Sequence, residues 1–284
     1  MSVQGTAGSA ARRADEAGNS KALENLARVG LVAYGVVHVL IAWLAVSLAW
    51  FGGSSGGSAD QSGAMRTLAD SPVGKPLLWL LAVGLIALAV WQAAEMLRWR
   101  QGWSASGKTR TTAIRKSAGA VAKAIVYIAL AVLAIRFAIG NGESSSQQQQ
   151  QTTAGVFGWP GGQWLVGAVG LVLVGVGAWH VYNGLDKRFL KQIDLAEASP
   201  RTTKAVTRLG QIGFPAKGVA LALVGVLLDY AAITFDPSKA RGLDGAMRTI
   251  LQAPFGRILL TLVALGIAAF GAFCFVRARY PERT

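Results

Sequence analysis

Two histidines and a few other polar side chains lie inside long apolar segments, where each is costly unless it has a partner or a task. His38 stands one helical turn after Tyr34, so the two share a helix face. His38 is nine residues beyond Val29, about 13 Å deep at 1.5 Å per residue, which places a titratable imidazole near a bilayer midplane. Matching pairs recur along the chain as Lys123 with Tyr127 and Lys217 with Leu221. A second set has three-residue spacing: Gln92 with Glu95, His180 with Asn183, and Cys274 with Arg277. The chemistry open to these groups is proton or ion handling in a polar cavity, with Glu95 expected to pair with Lys123 or Lys217 and His38 above them. The structural alternative has Lys123, Lys217, Glu95 and Arg277 snorkelling to headgroups, His180 neutral at the interface, and His38 hydrogen-bonding across a packed bundle.

Two matches to catalytic motifs fail on their context. Gly102 to Thr109, GWSASGKT, satisfies GxxxxGK[ST], but a phosphate-binding loop needs a strand before it, and here an apolar helix precedes a short connection with no acid for magnesium. Gly52 to Gly56 satisfies GxSxG inside a Gly/Ser linker with no strand to form a nucleophile elbow. The single Cys excludes an intrachain disulfide and a thiolate cage for zinc. No span offers a Ser-His pair, paired carboxylates or a metal-ligand cluster, so no catalytic residue, cofactor or metal is expected, and an enzyme is the least favoured class.

The elements that must position these groups follow from hydropathy. A formal charge of +14 sits on a chain of 284 residues that is 52% hydrophobic and 15% charged, and the apolar residues are gathered in runs. A hydrocarbon core of about 30 Å takes roughly 20 apolar residues in helical form. Six segments qualify: Val29 to Phe51, Pro76 to Trp99, Ala118 to Ile139, Trp164 to Leu185, Ile212 to Ile233 and Ile258 to Val276. The expected fold is therefore all-α and polytopic, behind a polar tail of residues 1–28 that reads as disordered, with Ser20 to Arg28 able to lead helically into the first span. Ser199-Pro200 reads as an N-cap and first helical position ahead of the fifth span.

Of the 28 Lys and Arg, 19 lie in the tail, the second and fourth connections and the C-terminus. The positive-inside rule then predicts both termini on the cytoplasmic side of the membrane. The basic charge is expected to meet anionic lipid headgroups there, and nucleic acid is not an expected partner.

Repetition is the strongest signal. GAMRT occurs at Gly63 to Thr67 and at Gly245 to Thr249, and each copy is followed by Pro-x-Gly-basic, Pro72 to Lys75 and Pro254 to Arg257. Pro160 to Gln163 is a diverged third copy, and Gly30, Gly119 and Gly213 align ahead of the odd spans. The units are 29–110, 111–199 and 200–284, each with two spans. An even number of spans preserves orientation, so these are parallel repeats, three helical hairpins about a pseudo-threefold axis. Ser62 and Asp244 are expected to cap short amphipathic helices on the outer interface. The middle unit instead has Ser144 to Ser146 and Gln147 to Gln151, expected to be a disordered loop without a helix. Trp91, Trp179 and Phe273 are equivalent and expected to pack around the axis.

The Gly-rich odd helix, GAMRTL-like outer helix, Pro-x-Gly-basic turn and Trp-containing even helix, repeated three times, resemble the bacterial membrane family called domain of unknown function 1206. The resemblance covers nearly all of Leu26 to Arg279 and implies a six-helix inner-membrane protein. It carries over no functional residue. The expected function is a non-catalytic membrane component that organises lipid or a partner protein, with a small-solute or proton-coupled transporter as the alternative.

Overall fold

The computed structural model describes residues 21–52, 58–196 and 198–280. The rest of the expected tail and most of the GxSxG match lie outside the described residues. The fold is all-α. Six long helices carry the apolar runs: α1 (Lys21–Phe51), α3 (Gly74–Arg100), α4 (Gly107–Ala138), α6 (Gly162–Leu185), α7 (Pro200–Thr234) and α9 (Gly256–Arg279). Each is long and apolar enough to cross a membrane, which makes this a multi-pass membrane protein. Three short helices join the spans within each unit at one end of the bundle: α2 (Gln61–Ala69), α5 (Ser145–Phe157) and α8 (Gly242–Gln252). The other end carries the basic connections. The repeat of long, short, long helix therefore occurs three times.

Local sequence explains the boundaries. Residues 21–28 continue α1 without a break. Ser199 caps α7 as expected, its hydroxyl accepting from the Thr202 amide, with Pro200 in the first turn. The cap of α2 is Asp60, not Ser62: the carboxylate reaches the Gly63 amide at 2.9 Å, so the helix starts earlier and Ser62 lies in its first turn. α8 likewise starts at Gly242, which leaves Asp244 in its first turn, where it pairs with Arg248 at 2.8 Å. Both short helices press Met65 and Met247 fully into the core.

The loop expected in the middle unit is instead helix α5, which includes the whole glutamine run. Glutamine is a good helix former, and the N-terminus of α5 is held by both neighbouring units. The Ser145 amide donates to Ser62 Oγ at 3.1 Å, and Ser146 Oγ donates to the Arg241 carbonyl. The Ala59 amide donates to Asp244 Oδ1 at 2.8 Å, which completes a cycle of three ties around the short-helix end.

The spans pack in the order α4, α3, α1, α9, α7, α6. The tightest neighbours belong to different units: α3 on α4, α6 on α7, and α9 on α1. The three two-span units thus pack more closely against one another than within themselves. Within units, α1 meets α3 and α7 meets α9, but α4 and α6 share no comparable packing. The bundle is a six-membered ring with one open seam, inside the middle unit. Small residues set the close approaches. A Cβ on Gly177 would stand 2.6 Å from the Gly218 carbonyl oxygen, and one on Gly218 2.5 Å from that of Gly177, so α6 and α7 meet backbone to backbone there.

Candidate functional site

The ring encloses a polar and aromatic cluster built by three units. α1 supplies Tyr34 and His38, α4 supplies Tyr127, α7 supplies Lys217 and α9 supplies Phe270. Lys217 Nζ donates to Tyr34 Oη at 2.8 Å and stands 4.1 Å from the centre of the Phe270 ring and 5.1 Å from that of Tyr34. The ammonium thus has one hydrogen bond and two aromatic faces, a cation-π arrangement that strengthens where water is excluded. Lys217 is five residues into the apolar run Ile212 to Ile233, about 8 Å from its basic-side start, so the cluster sits nearer the basic end.

His38 is buried, and its Nδ1 is 2.8 Å from the Tyr34 carbonyl oxygen one turn back on its own helix. That bond corrects the expectation that His38 reaches across the bundle. Its ring packs edge-on to Tyr34 at 4.3 Å and against Phe270 at 4.9 Å. Tyr127 is buried and meets Tyr34 edge-on at 6.1 Å. Arg277 and Cys274 lie within electrostatic reach of Lys217.

The structure thus brings together Tyr34, His38, Tyr127 and Lys217, with Arg277 nearby. The expected Glu95 to Lys217 pair does not form, because Lys217 takes the phenol of Tyr34 instead. Glu95 is half-buried on α3. Gln92 is buried one turn before it, with Oε1 unpartnered. Lys123 lies exposed on α4. His180 is half-buried on α6, its ring 5.9 Å from Phe214 and its Nδ1 unpartnered, and Asn183 is buried below it. The polar stripes therefore do not converge on one cavity.

Sequence reasoning missed the aromatic plug beside this cluster. Phe189, in a turn at the basic end, is fully buried and stacks on Phe214 at 5.2 Å. Phe214 meets Phe270 at 5.2 Å and Phe273 at 5.1 Å. Gly210 makes room for Phe189, since a Cβ there would lie 2.1 Å from that ring. The available signal was that Phe270 and Phe273 are one turn apart on α9 while Phe214 neighbours Gly213. Of the three residues expected around the axis, Phe273 is buried, but Trp179 is half-exposed beside Tyr182 and Arg188, and Trp91 is only partly covered. The GWSASGKT segment is a single turn, Gln101–Ser104, followed by α4, with no strand to deliver it.

Residues 29–96, 118–186 and 212–281 each match the family described as Domain of Unknown Function (DUF1206). The chain belongs to this family. Each match covers one pair of spans, so the three tandem repeats are three copies of the family's unit. The chain is also similar to the uncharacterized protein YxxB of Bacillus subtilis (strain 168), at 29% identity over 263 residues, 92% of each chain. No solved structure matches it. The family relationship agrees with the resemblance carried by GAMRT and the Pro-x-Gly turns, and it brings no assigned activity to the Lys217 cluster.

Proposed function

We propose that the protein is a non-catalytic component of the bacterial cytoplasmic membrane that organises lipid, with both termini in the cytoplasm. The observation that carries this reading is the ring of spans with its single open seam between α4 and α6. A ring closed on all sides has only lipid-facing outer surfaces. An open seam also offers lipid an apolar cleft between two protein walls. Orientation is supported by the concentration of Lys and Arg at the end where α1 begins and α9 finishes. The absence of a reactive task for the central cluster is supported by its own bonding: Lys217 is held by Tyr34 and Phe270, and His38 by its own helix. The aromatic plug of Phe189, Phe214 and Phe273 fills the space between that cluster and the basic end, which weighs against a continuous path for solutes.

The test is native mass spectrometry of the full chain released from membranes in mild detergent. The expected spectrum carries phospholipid adducts that survive detergent exchange. A spectrum of bare polypeptide, with no lipid retained from any native membrane extract, would sink the reading.

A further inference from the structure

The open seam differs from the two closed ones at equivalent residues. Gly30, Gly119 and Gly213 occupy one frame in the three units. A Cβ on Gly30 would lie 2.4 Å from the Gly84 carbonyl oxygen, and one on Gly213 2.5 Å from the Phe270 amide nitrogen. A Cβ on Gly119 meets nothing within 4 Å. The facing helices tell the same story. Leu88 and Phe270, which close the first and third units, are 5% and 6% exposed, while their equivalent Val176 is 39% exposed. Gly84 and Gly266 are buried, and their equivalent Val172 is 62% exposed.

The seam has a charged foot. On α4, Lys108, Thr112, Arg115, Gly119 and Val126 fall on one stripe at helical spacing, and all are exposed apart from Thr112, which is half-buried. A groove of about 520 Å³ on the first turns of α4 is lined by Gly107, Lys108, Thr111, Thr112 and Arg115 of that helix alone. From Arg115 to Val126 is 11 residues, about 16 Å of helix, close to the roughly 15 Å depth of one hydrocarbon leaflet. On α6, Leu165, Val169, Val172 and Val176 form the opposing apolar stripe, all exposed. Leu165 and Val169 also wall a second groove of about 510 Å³, together with Gln148 and Thr152 of α5 and Val224 and Leu228 of α7.

We propose that the α4 to α6 seam binds an anionic phospholipid, with its phosphate at Lys108 and Arg115 and an acyl chain between Gly119 and Val126 of α4 on one side and, on the antiparallel α6, Val172 and Leu165 on the other. The proposal rests on the lipid-organising reading above and names its ligand class and site. Two cations with hydroxyl neighbours at the foot of an apolar cleft one leaflet deep match an amphiphile with a negative head. An extra protein helix would fit the apolar walls but would leave Lys108 and Arg115 without a counter-charge.

The experiment reconstitutes the full chain with equal amounts of phosphatidylglycerol and phosphatidylcholine of identical chains and reads retained lipid by native mass spectrometry. Wild type is expected to retain phosphatidylglycerol over phosphatidylcholine by roughly tenfold. The Lys108→Gln/Arg115→Gln variant should bring that ratio to near parity. Gly119→Leu, which fills open space, should lower retention of both lipids while leaving the helical signal unchanged. Equal phosphatidylglycerol preference in all three proteins overturns this site and leaves lipid organisation standing. Loss of every adduct from wild type overturns both. Spontaneous crosslinking of a Gly119→Cys variant into a dimer identifies a second copy as the occupant and also overturns the proposal.

Discussion

Alanine at the three equivalent glycines separates a closed ring from an open one. At Gly30 the added methyl would stand 2.4 Å from the Gly84 carbonyl oxygen, 2.8 Å from its carbon and 2.9 Å from Leu88 Cδ1. Two of those atoms are backbone, so α1 and α3 would have to part by about 1 Å to restore ordinary contact. Overpacking of this kind costs about 1–3 kcal/mol, offset by a helix-propensity gain of about 1 kcal/mol for Gly to Ala. Gly213→Ala meets the Phe270 backbone at 2.5 and 2.7 Å, and the same range applies. Gly119→Ala meets nothing, so only the propensity gain remains. The expected order of stability is Gly119→Ala at or above wild type, then Gly30→Ala and Gly213→Ala below it by up to about 2 kcal/mol. Reversible unfolding in mixed micelles, followed by the far-ultraviolet helical signal, measures it. A Gly119→Ala variant as damaged as Gly30→Ala would show that α4 and α6 are in contact, and would refute the open seam.

Three further outcomes follow from the same geometry. Asp60 is fully buried. Burial raises its carboxyl above the usual range, the Ser62 and Gly63 hydrogen bonds oppose that, and the neighbouring Asp244 charge reinforces it. A raised folded value means that the stability Asp60 contributes is present below the unfolded value near about 4 and is lost as pH rises through the folded value. Wild type should therefore melt lower on going from acid to neutral pH, Asp60→Asn should show a flatter profile, and a slope unchanged in the variant counts against the argument. Tyr34→Phe should destabilise by about 1–3 kcal/mol by leaving the Lys217 ammonium without its hydrogen bond, whereas Tyr34→Phe/Lys217→Met should recover much of that; additive losses in the micelle assay would contradict a direct pair. Proteoliposomes holding wild type should pass protons and small solutes no faster than empty vesicles, and a flux abolished by His38→Ala would instead establish a transporter.

The spans and the repeat were legible in the sequence because about 20 consecutive apolar residues admit few alternatives in a bilayer and because GAMRT is written out twice. The neighbours were not. Repeat equivalence states that Gly30, Gly119 and Gly213 are alike in sequence, and the structure packs two of them while leaving the third open, a tertiary choice that no single unit encodes. Composition misjudged α5, since a glutamine run is compatible with a helix once Ser62 and Arg241 hold its first turn. The α2 cap moved two residues, from Ser62 to Asp60, because both are competent and only the geometry at Gly63 decides between them. The Lys217 to Tyr34 pair was hidden by charge reasoning, which sought an acid for the lysine when a phenol and two ring faces were available.

The pairing of α1 with α9 bears on how the chain is made. The Gly35 face of α1 lies against Gly271 of α9, where a Cβ on Gly35 would be 2.9 Å from the Gly271 carbonyl oxygen. Those residues are 236 positions apart, so at roughly 5–20 residues per second the first span waits on the order of 10–50 s for its partner to leave the ribosome. Over that interval a glycine-bearing helix face built for close approach stands in the bilayer beside every other nascent span. Shielding of that face by the insertion machinery, or by lipid, is thus as much a requirement of biogenesis as the packing is of the finished bundle.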